Sequence, residues 1–179
     1  HYGNTDRTFG GLAWAMHRRS VLKSPTIDAI YDHRGDAFNP HQQFFWLCER
    51  KDKVHNQLAE YLIRCQFFKD INESTAERYF PLFTAAEMEQ IDVLKACIKA
   101  GAEVDQLTFN GFTALYFSCQ ADKRESVKAL LQAGADPNLV CGDGGCPLLV
   151  ACQLGNTEVV KLLLENGADA NATKGPSPK

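Results

Sequence analysis

The stretch PLLVACQLGNTEVVKLLLENGADAN, residues 147–171, decides the architecture. It reads as two short apolar runs followed by an enforced stop. Leu148, Leu149, Val150, Ala151, Cys152 and Leu154 supply the first run. Val159, Val160, Leu162, Leu163 and Leu164 supply the second, at helical spacing. Gly155-Asn156 between them is a turn signal. Gly167 stands just past the second run, where a helix-terminating residue takes a positive φ that glycine tolerates.

The stretch recurs every 33 residues. Leu148 maps to Leu115 and Leu82, and Gly167-Ala168 maps to Gly134-Ala135 and Gly101-Ala102. Val160 maps to Val127 and Leu94, Lys161 to Lys128 and Lys95, and Leu164 to Leu131 and Ile98. Asp169 maps to Asp136 and, conservatively, to Glu103. Three gapless copies at this period fit one turn plus two helices per unit. The repeated unit resembles the ankyrin repeat, over roughly Tyr79 to Asn171. The resemblance implies an all-α solenoid with short turn hairpins. It also implies a role in protein–protein interaction, with fingers at Gln106–Phe112 and Leu139–Gly145 and first helices lining a concave side. A fold of this kind hosts unrelated functions and does not name a partner.

The flanks extend the pattern unevenly. From His41 to Phe68 two helices are expected, broken near residues 50–53. Phe44, Phe45, Leu47 and Cys48 line one; Val54, Leu58, Tyr61, Leu62 and Cys65 line the other. The pair ends in Asp70-Ile71-Asn72, an echo of Asp169-Ala170-Asn171. It lacks the glycine stop, so residues 41–72 read as a degenerate capping repeat within a helical region 1–72. An end repeat has one unpartnered face that needs covering. Within residues 1–38, a short helix around Leu12–Met16 and another after Ser24-Pro25 are expected, the latter ended by Gly35. The three regular repeats occupy 79–171. Residues 172–179 read as a tail or the truncated start of a further repeat. The chain begins at His1 rather than Met, so a piece of a longer protein is expected, and a missing targeting signal carries no weight.

Composition excludes several classes. Apolar residues make up 45%, enough for a core, and the net charge is only −3 from 19 basic and 22 acidic residues. No concentrated basic stripe suits nucleic acid, and no apolar run approaches the ~18 residues of a membrane helix. Seven cysteines without a C-x-x-C pair argue against a zinc site. Cys119 and Cys152 take the position of Ala86, and Cys97 that of Leu130 and Leu163, so they read as small buried residues. Free buried thiols fit a reducing, intracellular setting, cytoplasmic or nuclear, or a host cell interior for a pathogen effector. A monomer is expected, with no cofactor and no metal.

Catalytic chemistry has one candidate. All five histidines (His1, His17, His33, His41, His55) lie within the first 55 residues, and Cys48 is the lone cysteine there. A Cys–His nucleophile pair in the helical half is the alternative to a non-catalytic scaffold, with the repeats recruiting substrate. Against it, Cys48 falls mid-helix on an apolar face, whereas activated thiols sit at helix N-termini or beside cations. Cys141 and Cys146 on the second finger lack a nearby histidine as third metal ligand. Asp143-Gly144-Gly145 lacks the Lys-Ser/Thr or carboxylate series of a phosphate or calcium loop.

The surface carries the stronger signal. Phe109, Phe112 and Phe117 lie where the repeat pattern demands no aromatic, two on a finger and one on a first helix. They pack against neighbouring fingers or form an interaction patch, since exposed aromatics mark binding surfaces. Around them Glu87, Met88, Gln120, Gln153 and Leu154 occupy outward positions of the first helices. This mixture suits a protein partner. The family resemblance further implies asparaginyl hydroxylation at D-x-N turns with a leucine eight residues earlier. Asn138 follows Leu130, and Asn171 follows Leu163, by that count. Asp105 replaces the asparagine in the first repeat. Asn171, nearer the chain end and without an adjacent proline, is expected to react before Asn138.

Overall fold

In the computed structural model, the described residues are 40–49, 52–64, 70–72 and 80–175, with the side chains of residues 40–43, 46 and 54 left aside. They form helices in pairs: α1 (Pro40–Glu49) with α2 (Lys53–Arg64), α3 (Pro81–Glu87) with α4 (Ile91–Lys99), α5 (Ala114–Gln120) with α6 (Arg124–Gln132), and α7 (Pro147–Leu154) with α8 (Thr157–Glu165). No strand occurs among the described residues. First helices pack in the order α1, α3, α5, α7, and second helices in the order α2, α4, α6, α8. The architecture is an all-α solenoid.

Each pair is specified locally. α3 and α7 begin with Pro81 and Pro147 at the first helical position, where the missing N–H costs nothing. α5 lacks that proline, and Thr113 instead caps it by accepting from the Tyr116 N–H at 3.1 Å. The period-33 leucines Leu82 and Leu115 are fully buried, and Leu148 nearly so. Cys97, Leu130 and Leu163 share one repeat position and are all inaccessible to solvent. Burying each such leucine contributes roughly 1.5–3 kcal/mol. The second helices end as expected: Gly101, Gly134 and Gly167 have φ of +89°, +91° and +89°.

The joints between repeats are polar and recur with the same period. The Asn72 side-chain oxygen accepts from the Glu103 N–H at 2.8 Å, Asp105 from the Asp136 N–H at 3.1 Å, and Asn138 from the Asp169 N–H at 2.8 Å. The echo at Asp70-Ile71-Asn72 is therefore a working joint. The fingers are joined backbone to backbone, Gly142 N–H to the Gly111 carbonyl at 2.8 Å. Exactly one period later in number, Gly175 N–H reaches the Gly144 carbonyl at 2.7 Å, so residues 172–175 lie like the start of another finger. A further joint lies under the first helices. Gln90 donates to the Cys48 carbonyl at 3.0 Å, and Asn156 to the Cys119 carbonyl at 2.8 Å.

Three expectations are corrected. Cys152 is exposed, not buried like Cys119, because no described helix stacks over the outer side of α7. Phe45 keeps 38% of its surface in solvent instead of lining the α1 core, where Phe44, Leu47 and Cys48 are buried. Cys48 is the penultimate residue of α1, not a mid-helix residue. The helices expected before residue 39, Cys65 and the side chain of Val54 lie outside the described residues.

Candidate interaction face

Among the described residues, the large exposed hydrophobic side chains are Phe45, Leu107, Phe109, Val140, Leu154 and Leu164. Of these, only Leu164 belongs to a second helix. Phe109 is the most exposed at 66%, near the turn of its finger, where Thr108 N–H bonds the Phe112 carbonyl at 2.8 Å and Gly111 N–H bonds Thr108 at 2.9 Å. Leu154, at the end of α7, is 54% exposed.

The other aromatic side chains singled out in the sequence are half-buried and partnered within the fold. Phe112 rests on Tyr116 with ring centroids 4.9 Å apart, and Phe117 on Phe83 at 5.2 Å. Phe117 thus packs across the joint between two units and Phe112 within its own, and each keeps part of its surface in solvent. Gln120 and Gln153 are exposed, while Glu87 and Met88 are half-buried. Glu87, Gln120 and Gln153 hold equivalent positions of α3, α5 and α7, and Phe109 and Phe112 lie on the finger that leads into α5.

Electrostatics separate two carboxylates on this side. Asp143 is served by its own loop, accepting from the Gly145 N–H at 2.9 Å and the Tyr116 hydroxyl at 2.9 Å. Burial pushes its carboxyl upward, but those hydrogen bonds, with Lys174, hold it below the ordinary carboxylate value. The same bond and burial push the Tyr116 phenol up, burial being the larger cause. Glu87 has no hydrogen bond or ion pair among the described residues. Partial burial raises its carboxyl, with Lys123 drawing it part of the way back.

Among the described residues, which leave out the side chain of His41, no catalytic arrangement forms around Cys48. Its thiol is sealed from solvent and burial pushes it up to about 12, the opposite of an activated nucleophile. His55 pairs with Asp52, and His1, His17 and His33 lie outside the described residues. Cys141 and Cys146 are buried beneath the second finger, and among the described residues no group of three His, Cys, Asp or Glu is placed to hold a metal. On the second-helix side a groove of about 730 Å³ runs between α2 and α4, lined by Glu60, Arg64, Asp92, Lys95 and Lys99, a set of mixed sign. No sequence signal pointed to this groove, because its lining comes from ordinary exposed positions of two helices.

The comparisons agree with the geometry. A family model described as ankyrin repeats, three copies, matches residues 44–141, and a single-repeat ankyrin model matches residues 143–174. The first match starts at Phe44, inside α1, so α1–α2 are counted among the repeats. A search of curated proteins finds no match. Ankyrin repeats are protein–protein interaction modules. Matched over more than half of its 179 residues, with paired helices stacked at a period of 33, the chain belongs to the ankyrin-repeat family.

Proposed function

We propose that the chain binds a protein partner through its fingers and first helices, with Phe109, Phe112, Phe117, Met88, Glu87, Gln120, Gln153 and Leu154 in the contact. The observation that carries this reading is where the exposed apolar side chains fall: among the described residues, five of the six large ones lie on first helices or fingers. Exposed apolar side chains mark interaction surfaces, and Phe109, 66% exposed, supplies the aromatic anchor of such a contact. The second helices offer a different surface, with Lys128 paired to Glu125 at 3.5 Å and Lys161 to Glu158 at 2.9 Å. Exposed pairs of that kind solvate a helix and add little binding energy.

Site-specific photocrosslinking tests the reading. A benzophenone side chain installed at Phe109 should give protein adducts in cell lysate, and one at Lys128 on α6 should give far fewer. Adducts that form equally at both sites, or favour Lys128, would contradict it.

A further inference from the structure

The first-helix face carries a row of hydrogen-bond acceptors, none of them ion-paired or hydrogen-bonded to a lysine or arginine among the described residues. Glu49, Glu87, Gln120 and Gln153 each stand four residues ahead of a second helix, which starts at Lys53, Ile91, Arg124 or Thr157. They therefore hold one position in successive units. No lysine or arginine occurs in α1, α3, α5, α7 or in either finger, whereas α2, α4, α6 and α8 each carry at least one. The acidic turns nearby are already answered: Glu89 faces Lys123 at 3.9 Å, and Asp122 faces Arg124 at 3.1 Å. Asp143 is held by Tyr116 and Gly145, as described. Glu87 is left half-buried and without a direct hydrogen bond or ion pair among the described residues, Lys123 acting on its carboxyl only from beyond ion-pair distance.

Resting on the proposed function, we infer that the first-helix face takes an extended basic segment of a protein partner, its lysine or arginine side chains about three residues apart engaging Glu49 and Glu87, and an apolar side chain seated against Phe109. A carboxylate partly stripped of water and lacking a partner gains most from an arriving cation, because its desolvation has already occurred. Phe117, packed on the buried Phe83 one helical turn before Glu87, keeps part of its ring in solvent as apolar support for the methylene stem of such a side chain. The spacing follows from packing. Neighbouring helices lie ~8–10 Å apart, and an extended chain advances ~3.3 Å per residue. Successive acceptors in the row are thus met by every third residue. An acidic peptide or a polyanion meets the wrong sign on this face.

The test selects ligands without presuming a partner. Random peptides of about 12 residues, long enough at ~3.3 Å per residue to follow the row, are displayed and panned against the full chain. Enriched peptides are then titrated by fluorescence anisotropy against the wild type, Glu87→Gln and Phe109→Ala. The expected winners carry two lysine or arginine residues three apart, beside an aromatic or aliphatic residue. Glu87→Gln should weaken them about tenfold, the scale of one hydrogen bond to a charged group, and Phe109→Ala should weaken them as well. Glu87→Gln places at this position the residue already present as Gln120 and Gln153, and a melting temperature no lower than wild type confirms that it folds. Neutral or acidic winners that depend on Phe109 but not on Glu87 would overturn this inference and leave the proposed function standing. Winners indifferent to both substitutions, or no enrichment at all, would overturn both.

Discussion

At the residue scale, the helix-ending glycines were legible because their chemistry is local. A β-branched residue at φ of +91° is strained whatever space surrounds it, and nothing lies within 4 Å of a Cβ at Gly134. Gly134→Val should therefore cost about 1–3 kcal/mol from backbone strain alone, read as a shift in urea midpoint at constant slope; no shift would place the origin of the stop elsewhere. Gly142 differs, since its missing Cβ leaves room for the Asn110 carbonyl of the neighbouring finger. That approach depends on a residue distant in sequence and could be read only as a need for backbone freedom. Glu89 and Asp122 adopt φ of +57° and +51° at the position of Gly155, a conformation the sequence marked only where glycine occurs. The two D-x-N asparagines also differ in a way that sequence counted but did not explain. Asn138 uses both ends of its side chain, accepting from the Asp169 N–H and donating to the Gly167 carbonyl at 3.0 Å. Among the described residues, Asn171 has only its backbone N–H engaged, with Asp169 at 2.9 Å. We propose that an asparaginyl hydroxylase modifies Asn171 ahead of Asn138, because access requires local release of the side chain. Peptide mass spectrometry after incubation should show about +16 Da, one added oxygen, first at Asn171; earlier reaction at Asn138, or none at either, would end the proposal.

At the scale of elements, the regular helix pairs were legible because apolar period and stop signals agreed. Leu163→Ala, truncating a side chain with no exposed surface, should cost on the order of 2–5 kcal/mol in a thermal or chemical melt. α1 and α2 were harder. Their apolar residues specify two helices, but an apolar run does not say which member faces out, and here that member is Phe45. The joint that fixes them to the next unit is Gln90, a buried polar residue with nothing conspicuous in its sequence context. It donates to the Cys48 carbonyl and accepts from the Asn56 amide at 2.6 Å. Gln90→Ala leaves both groups unpaired and should cost about 1–3 kcal/mol. Hydrogen exchange should accelerate in α1 and α2 more than in α7 and α8. Uniform acceleration would mean that the stack melts as a single unit instead of opening at this joint.

At the scale of the molecule, the thiols act together although they lie in different repeats. Burial holds the Cys48 thiol up at about 12 and pushes Cys97 and Cys119 higher still, with the Tyr116 phenol also raised. Groups whose ionisation is suppressed on folding stabilise the fold fully below their unfolded values, about 8.5 for cysteine and about 10 for tyrosine. That contribution is lost as pH rises toward the folded values. The melting temperature should accordingly fall between about pH 8.5 and pH 11, and fall less in Cys48→Ala relative to its own value at neutral pH; a flat profile would show these thiols to be solvated. The period of 33, the helix pairs and the finger positions could all be read along the chain. The absence of lysine and arginine from the first helices and fingers could not be read until the helices were assigned, because first- and second-helix residues alternate in sequence and separate only in space. That absence, with the exposed Phe109, is the basis of the proposed binding side. The most direct measurement is amide chemical-shift mapping of the chain on addition of its tightest selected peptide. The account predicts that shifts gather in α1, α3, α5, α7 and the two fingers, with Glu87, Phe109 and Gln120 among the largest. Shifts gathered instead on α4, α6 and α8, around Lys95, Lys128 and Lys161, would contradict it.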